Sequence, residues 1–143
     1  MSESKAIKKK IPSRNKSSYG WWLASYIERF EYEGENLDNL NRRCTAWENT
    51  IIIKAKNREQ AFRKAEKIGR LGESNGAYTN TDGLTLRLVY EGLSSLLPIY
   101  EDLEDGAEII WEEHQNRTVK KIQSLVKSKS ELESFDDSEE TAE

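Results

Sequence analysis

Thr50-Ile51-Ile52-Ile53-Lys54-Ala55-Lys56-Asn57-Arg58-Glu59-Gln60-Ala61-Phe62-Arg63-Lys64-Ala65-Glu66-Lys67-Ile68-Gly69-Arg70-Leu71-Gly72 is the stretch around which the chain is organised. Three successive β-branched residues, Ile51 to Ile53, favour a strand because such side chains pack well on a pleated surface. Asn57 then offers a helix N-cap, and Gln60, three residues on, stands where its side chain reaches back in capping-box fashion. Ala61, Phe62, Ala65 and Ile68 recur at helical spacing among charged residues, so the predicted helix carries one apolar stripe for a core. Gly69 and Gly72 bracket its end and read as C-cap glycines. On this reading Phe62 and either Ile52 or Ile53 are buried, and truncating Phe62 to Ala is expected to cost about 3 to 5 kcal/mol.

Upstream, Trp21, Leu23 and Ile27 alternate with Trp22, Ala24, Tyr26, Phe30 and Tyr32, which predicts a long strand with a buried start and a more solvated end. At least one of the two adjacent tryptophans is then buried. A polar connection follows, and a second strand from near Arg43 to Ala55 is expected to pair antiparallel with the first. Downstream, Asp82-Gly83 reads as a hairpin turn. Leu84 to Glu91 alternate as a half-buried strand, Gly92 marks a bulge or bend, and Pro98 belongs at an edge or beyond the sheet centre. A second Asp-Gly turn, at Asp105-Gly106, precedes another predicted strand over Ala107 to Glu113. Asn116 to Lys129 carries Val119, Ile122, Leu125 and Val126 at helical intervals, the stripe of a second, docking helix. The fold class is α+β: a mainly antiparallel sheet of four to five strands, one central helix packed on one face, and a C-terminal helix.

The ends differ in kind from this middle. Residues 1–18 carry six bases against one acid, and residues 131–143 carry seven acids and no base, within a chain of 143 residues and net charge −4. We therefore expect a disordered basic arm over 1–18, a single domain over 19–127, and a disordered acidic tail over 128–143. One cysteine, Cys44, excludes an internal disulfide, and no stretch resembles a secretory h-region or a spanning helix; a cytoplasmic location without membrane contact is expected.

At these residues the chain resembles the bacterial family catalogued as domain of unknown function 4288. The likeness rests on Trp21-Trp22-Leu23, on Trp47-Glu48 leading into Ile51-Ile52-Ile53, on the Ala61-Phe62 to Ala65-Glu66 helix, on the Asn80 to Gly83 turn with Gly92 downstream, and on Asp105-Gly106-Ala107-Glu108. It covers roughly residues 20 to 112 and implies a small intracellular bacterial or phage-related module, with no chemistry attached.

Catalytic constellations are sparse. His114 is the only histidine and nothing in the sequence ties a nucleophile to it. Cys44, beside Arg42 and Arg43, is more often packing than nucleophile in such a setting. One His and one Cys make no zinc site, no acidic spacing resembles a calcium loop, and the two glycines after the helix are not a phosphate cradle, so no cofactor is expected. Two binding readings remain. Four tryptophans and six tyrosines suit an interaction module, with Trp47 and Glu48, and Trp111 and Glu112, as an aromatic anchor beside an acid, suited to a partner protein with a basic surface. Such a module, non-enzymatic and able to form homo-oligomers, fits a bacterial defence, toxin-immunity or phage-related setting. The alternative is single-stranded nucleic acid, held by Lys8, Lys9, Lys10, Arg14 and Lys16 with Trp21 as a stacking platform.

Overall fold

The computed structural model describes residues 10–139. Lys8 and Lys9 lie outside the described residues. The chain divides between Ile110 and Trp111 into two units.

The first unit is built on four strands, β1 (Trp21–Tyr32), β2 (Ala46–Lys54), β3 (Tyr78–Thr79) and β4 (Thr85–Pro98), all antiparallel in the order β2-β1-β4-β3. One helix, α1 (Arg58–Gly69), joins β2 to a 3₁₀ segment over Arg70–Asn75. The α+β class, the long first strand and its antiparallel partner are as the sequence implies; among the described residues the sheet has four strands, the lower of the two numbers expected, one of them only two residues long.

β1 and β2 pair without interruption, so the side-chain parity of one fixes that of the other. Trp22, Ala24, Tyr26, Glu28, Phe30 and Tyr32 share one face with Ile53, Ile51, Asn49 and Trp47. Trp21, Leu23, Ser25, Ile27, Arg29 and Glu31 share the other with Lys54, Ile52, Thr50 and Glu48. The β1–β4 register shifts twice, skipping Ser94 and Glu91, and Gly92 between them takes φ +147°. Each shift flips the side-chain phase of β4, and the second restores it. Gly92 thus marks the bulge that its place in the alternation suggests. Pro98 closes β4 opposite Trp22, where no third strand among the described residues needs its missing N–H.

The core lies between the first half of the inner face and α1: Trp22, Ala24, Ile53, Ala55, Ala61 and Ala65 are buried, with Ile51, Ile68, Leu93 and Leu96 packed against them. Asn57 Oδ1 accepts from Gln60 N–H at 2.8 Å, and Gln60 Oε1 accepts from Lys56 N–H at 2.6 Å, so the reciprocal cap forms one residue earlier than in a strict capping box. Ala61, Ala65 and Gly69 fall on one line four residues apart, and these small side chains bring the helix axis close to the sheet. A Cβ on Gly69 would stand 2.5 Å from Tyr90 Cε2. Gly69 is therefore a close-approach glycine with helical φ, not the C-cap expected; the left-handed residue that ends this helical run is Gly76, φ +68°. Phe62 is also corrected: at 44% exposure it flanks the contact line instead of filling the core, while of the two isoleucines Ile53 is buried and Ile52 is not.

Two further expectations change. Ala107 to Glu113 form no strand, although the Asp105-Gly106 turn before them closes with Ala107 N–H on Glu104 O at 3.0 Å. The basic arm is not free from residue 11 on: Ser13–Asn15 form a 3₁₀ turn, Ser17 Oγ donates to Ile99 O at 2.7 Å, and the Tyr100 hydroxyl donates to Arg14 O.

In the second unit the predicted docking helix shrinks to α2 (Val119–Gln123), capped by Thr118 Oγ1 at 3.1 Å from Lys121 N–H. Its stripe residues Val119, Ile122, Leu125 and Val126 are all exposed. The acidic tail starts with two short 3₁₀ turns, Lys129–Glu131 and Glu133–Phe135, and Lys127 pairs with Glu133 at 3.0 Å. Among the described residues no helix is long and apolar enough to cross a membrane.

Candidate functional site

The helix covers only half of the inner sheet face. Gly69 pins its end beside Tyr26 and Tyr90, and Gly72 sets the 3₁₀ segment against Leu88 and the Glu28 carboxylate. Gly76 then turns the chain away into β3. The far half of the face is left to aromatic side chains: Phe30 and Tyr32 from β1, Trp47 from β2 and Tyr78 from β3.

Phe30 is the hub. Its ring meets Trp47 edge-on at 4.6 Å and 77°, and it lies 6.4 Å from both Tyr32 and Tyr78, each at 72°. Tilted and edge-to-face geometry of this kind suits the ring quadrupoles and holds each ring in place. Trp47 is 40% exposed and Tyr78 45%, so the cluster is ordered by its own contacts yet open to solvent. Beside it Asn49 Nδ2 donates to Glu28 Oε1 at 2.8 Å, and Glu73 Oε1 accepts from Tyr90 N–H at 2.7 Å.

The residues singled out from the sequence are distributed as follows. Glu48 follows Trp47 on a strand and therefore projects from the opposite face; the acid that stands across from Trp47 in the register is Glu28. Trp111 is 60% exposed and, with Glu112, belongs to the second unit. Trp21 is half-buried on the outer face with Lys54 Nζ 4.7 Å above its ring, while Trp22 is the buried member of the pair, its indole N–H on Ala55 O at 3.1 Å. Lys16 lines a cavity of about 200 Å³ at the start of α1 together with Trp22, Lys56 and Arg58. Arg14 enters through its carbonyl only, and no contact of the Lys10 side chain enters the site.

A charged cluster that no local sequence pattern signals lies on the outer face. Glu31, side chain 10% exposed, receives Arg87 at 2.7 Å and Arg29 at 3.3 Å, with Arg42 at 3.9 Å. These bonds, the Arg87 pair foremost, hold its carboxyl below the usual range against the opposing effect of burial. Glu35 is lowered too, first by the Tyr32 N–H and then by Arg42. Arg42 is thereby committed to Glu35 at 2.8 Å and to two loop carbonyls, and Cys44 is exposed. His114 Nε2 lies 3.8 Å from Glu112 Oε1 on the surface of the second unit. Among the described residues no group of three or more His, Cys, Asp or Glu side chains gathers in a form that could hold a metal.

A family model described as Domain of unknown function (DUF4288) matches residues 21–111. The chain belongs to this family. The match begins at the first residue of β1 and takes in all four strands, α1, the aromatic cluster and Trp111; the basic residues before Trp21 and the acidic tail lie outside it. No curated protein and no solved structure matches the chain.

Proposed function

We propose that this protein is a non-enzymatic interaction module whose docking surface is the open aromatic end of the sheet, centred on Trp47 and Phe30. The observation that carries this reading is the ordered but half-exposed edge-to-face pair, 4.6 Å apart, on the part of the face that α1 leaves bare. A rigid aromatic anchor loses little side-chain entropy on binding, which is why such residues dominate interface energetics. Glu28 beside Trp47, and Glu73 nearby on the same face, supply the acidic rim and favour a partner protein with a basic surface. Trp111 and Glu112 are a second contact point of the same chemistry. An intracellular role in bacterial defence, toxin immunity or a phage-related system is the setting we infer, from composition and family membership alone.

The test is a pull-down from the native host with the full chain and with Trp47→Ala. A stoichiometric protein bound by the wild type and weakened about 30-fold or more by the substitution, the loss typical of a central aromatic anchor, supports the reading. Recovery of no such protein, or equal recovery by the variant, overturns it.

A second reading, binding of single-stranded nucleic acid, is favoured by the meeting of Lys16, Lys56 and Arg58 around one cavity. Deleting residues 1–18 is a poor test of it, since Arg14 and Ser17 also anchor the end of the sheet. Replacing Lys16, Lys56 and Arg58 together by Ala should abolish a salt-dependent affinity for oligonucleotides; retention of that affinity removes the reading.

A further inference from the structure

β2 is the outermost strand of the sheet, nine residues long, free of proline and of bulges, and no strand among the described residues pairs with its outer edge. Such an edge is a template for a further strand unless something blocks it. Its backbone polarity can be read from the bonds at its two ends. Ala55 N–H donates to Gly20 O at 2.8 Å, and Thr45 O accepts from Phe30 N–H at 3.0 Å, so odd-numbered positions turn their N–H and C=O groups toward β1. The even-numbered positions, Ala46, Glu48, Thr50, Ile52 and Lys54, turn theirs outward. Lys64 Nζ donating to Lys54 O at 2.8 Å agrees with this, and a carbonyl has a second lone pair to offer.

We infer that this edge pairs with the same edge of a second copy of the chain, antiparallel about a two-fold axis at Ile51, to make one continuous sheet. In an antiparallel ladder residues bond only when both turn their groups toward each other, which restricts the dyad to a residue position. With the axis at Ile51, Thr50 meets Ile52 of the second copy and Glu48 meets Lys54 of the second copy, both as bonded pairs. Each such pair occurs twice. The side chains of all four residues lie on the face opposite α1, so each Glu48 stands directly across from a Lys54, the favourable cross-strand arrangement, which the Lys54 ammonium completes by swinging from Tyr19 O and the Trp21 ring toward the edge. Moving the axis to Thr50 would set Glu48 against Ile52 and Lys54 against Ala46, with no charge matched; moving it to Ile52 would set Glu48 against Lys56, beyond the end of the strand. Charge and backbone parity therefore select one register. Ile52, 49% exposed in the single chain, is covered in it.

Sedimentation equilibrium of the full chain tests the inference, with circular dichroism as a check that each variant folds. The wild type is expected to dimerise. Glu48→Lys alone, and Lys54→Glu alone, place like charges opposite each other twice per dimer and should weaken self-association about tenfold or more. Mixing the two single variants opposes unlike charges again at both positions and should restore a dimer containing one of each. If Lys54→Glu fails to fold, because Lys54 Nζ also holds Tyr19 O at 2.6 Å, amide exchange on the wild type decides instead. The N–H groups of Thr50 and Ile52 should gain protection with rising protein concentration. A wild type that stays monomeric, a dimer indifferent to both charge reversals, or amide exchange independent of concentration overturns the proposal.

Discussion

Gly69→Ala puts two opposing effects at one position, and the geometry says which wins. Gly69 sits at φ −59°, ordinary helix, so exchanging it for alanine should on propensity alone stabilise α1 by about 1 kcal/mol. The added methyl, however, would lie 2.5 Å from Tyr90 Cε2, 3.1 Å from Cδ2 and 3.3 Å from Tyr26 Cγ. Relief requires a shift of about 1 Å in an aromatic ring, against the usual close-packed separation of carbon atoms. Tyr90 is poorly placed to give way: its backbone N–H is held by Glu73, its hydroxyl lies 3.4 Å from Glu66 Oε2, and Arg70 stacks 4.9 Å above its ring. With a contact as short as 2.5 Å against a ring held on three sides, the cost belongs in the upper part of the usual overpacking range, about 2 to 3 kcal/mol, which exceeds the propensity gain. The net expectation is a loss of about 1 to 2 kcal/mol, read in thermal unfolding as a fall of roughly 5 to 10 °C. Repeating the substitution in a Tyr90→Leu background removes the clash but not the propensity gain. There Gly69→Ala should be neutral or stabilising, a coupling of about 1 kcal/mol or more in a double-mutant cycle. A Gly69→Ala chain as stable as wild type, or equal losses in both backgrounds, would show that the helix does not ride on the sheet at this point.

Three smaller tests follow from the same contacts. Phe62→Ala should cost about 1 kcal/mol by chemical denaturation, because the residue is nearly half exposed and leaves no closed cavity; a loss near 4 kcal/mol would return it to the core. Asn57→Ala should cost about 1 kcal/mol through the lost cap on Gln60 N–H, with Asn57→Ser recovering most of it. Glu31→Gln should cost about 1 to 2 kcal/mol at neutral pH, a charge-assisted network discounted for the solvent exposure of Arg87. Since the folded-state pKa of Glu31 is depressed, its contribution is complete above the ordinary glutamate value of about 4.3 and disappears as pH falls through the folded value. Wild type and Glu31→Gln should therefore converge in stability in acid, and a difference that persists or grows there would exclude the ion pairs as its source.

The elements that depend on local chemistry were legible before the fold was known. The Asn57 cap, the period-two run of β1, the Asp82-Gly83 turn and the bulge at Gly92 each follow from what one residue or one alternation can do. Phe62 misled because helical spacing defines a stripe, not its centre. The line of Ala61, Ala65 and Gly69, small residues four apart, marks the true contact ridge, and that spacing was present in the sequence. The same ridge explains why Gly69 resembled a C-cap: a glycine near a helix end serves either a left-handed turn or a close approach, and only the neighbour across the gap, Tyr90, distinguishes them.

The candidate site was half legible for a different reason. Trp47 could be named from composition, but the cluster it belongs to draws on three strands distant in sequence, and only the register brings Phe30, with Tyr32 and Tyr78 beside it, up to Trp47. Pairing it with Glu48 followed sequence adjacency where strand geometry demands the opposite, since neighbours on a strand project to opposite faces. The antiparallel pairing of β1 with β2 brings Glu28 across from Trp47 instead. The segment Ala107 to Glu113 fails by the same logic seen from the other side. Its alternation satisfies what a strand requires of itself, but a strand also requires an edge that presents its N–H and C=O groups in step. β2 offers such an edge, and Glu48 and Lys54 equip it for the reversed copy of itself that we propose as its partner.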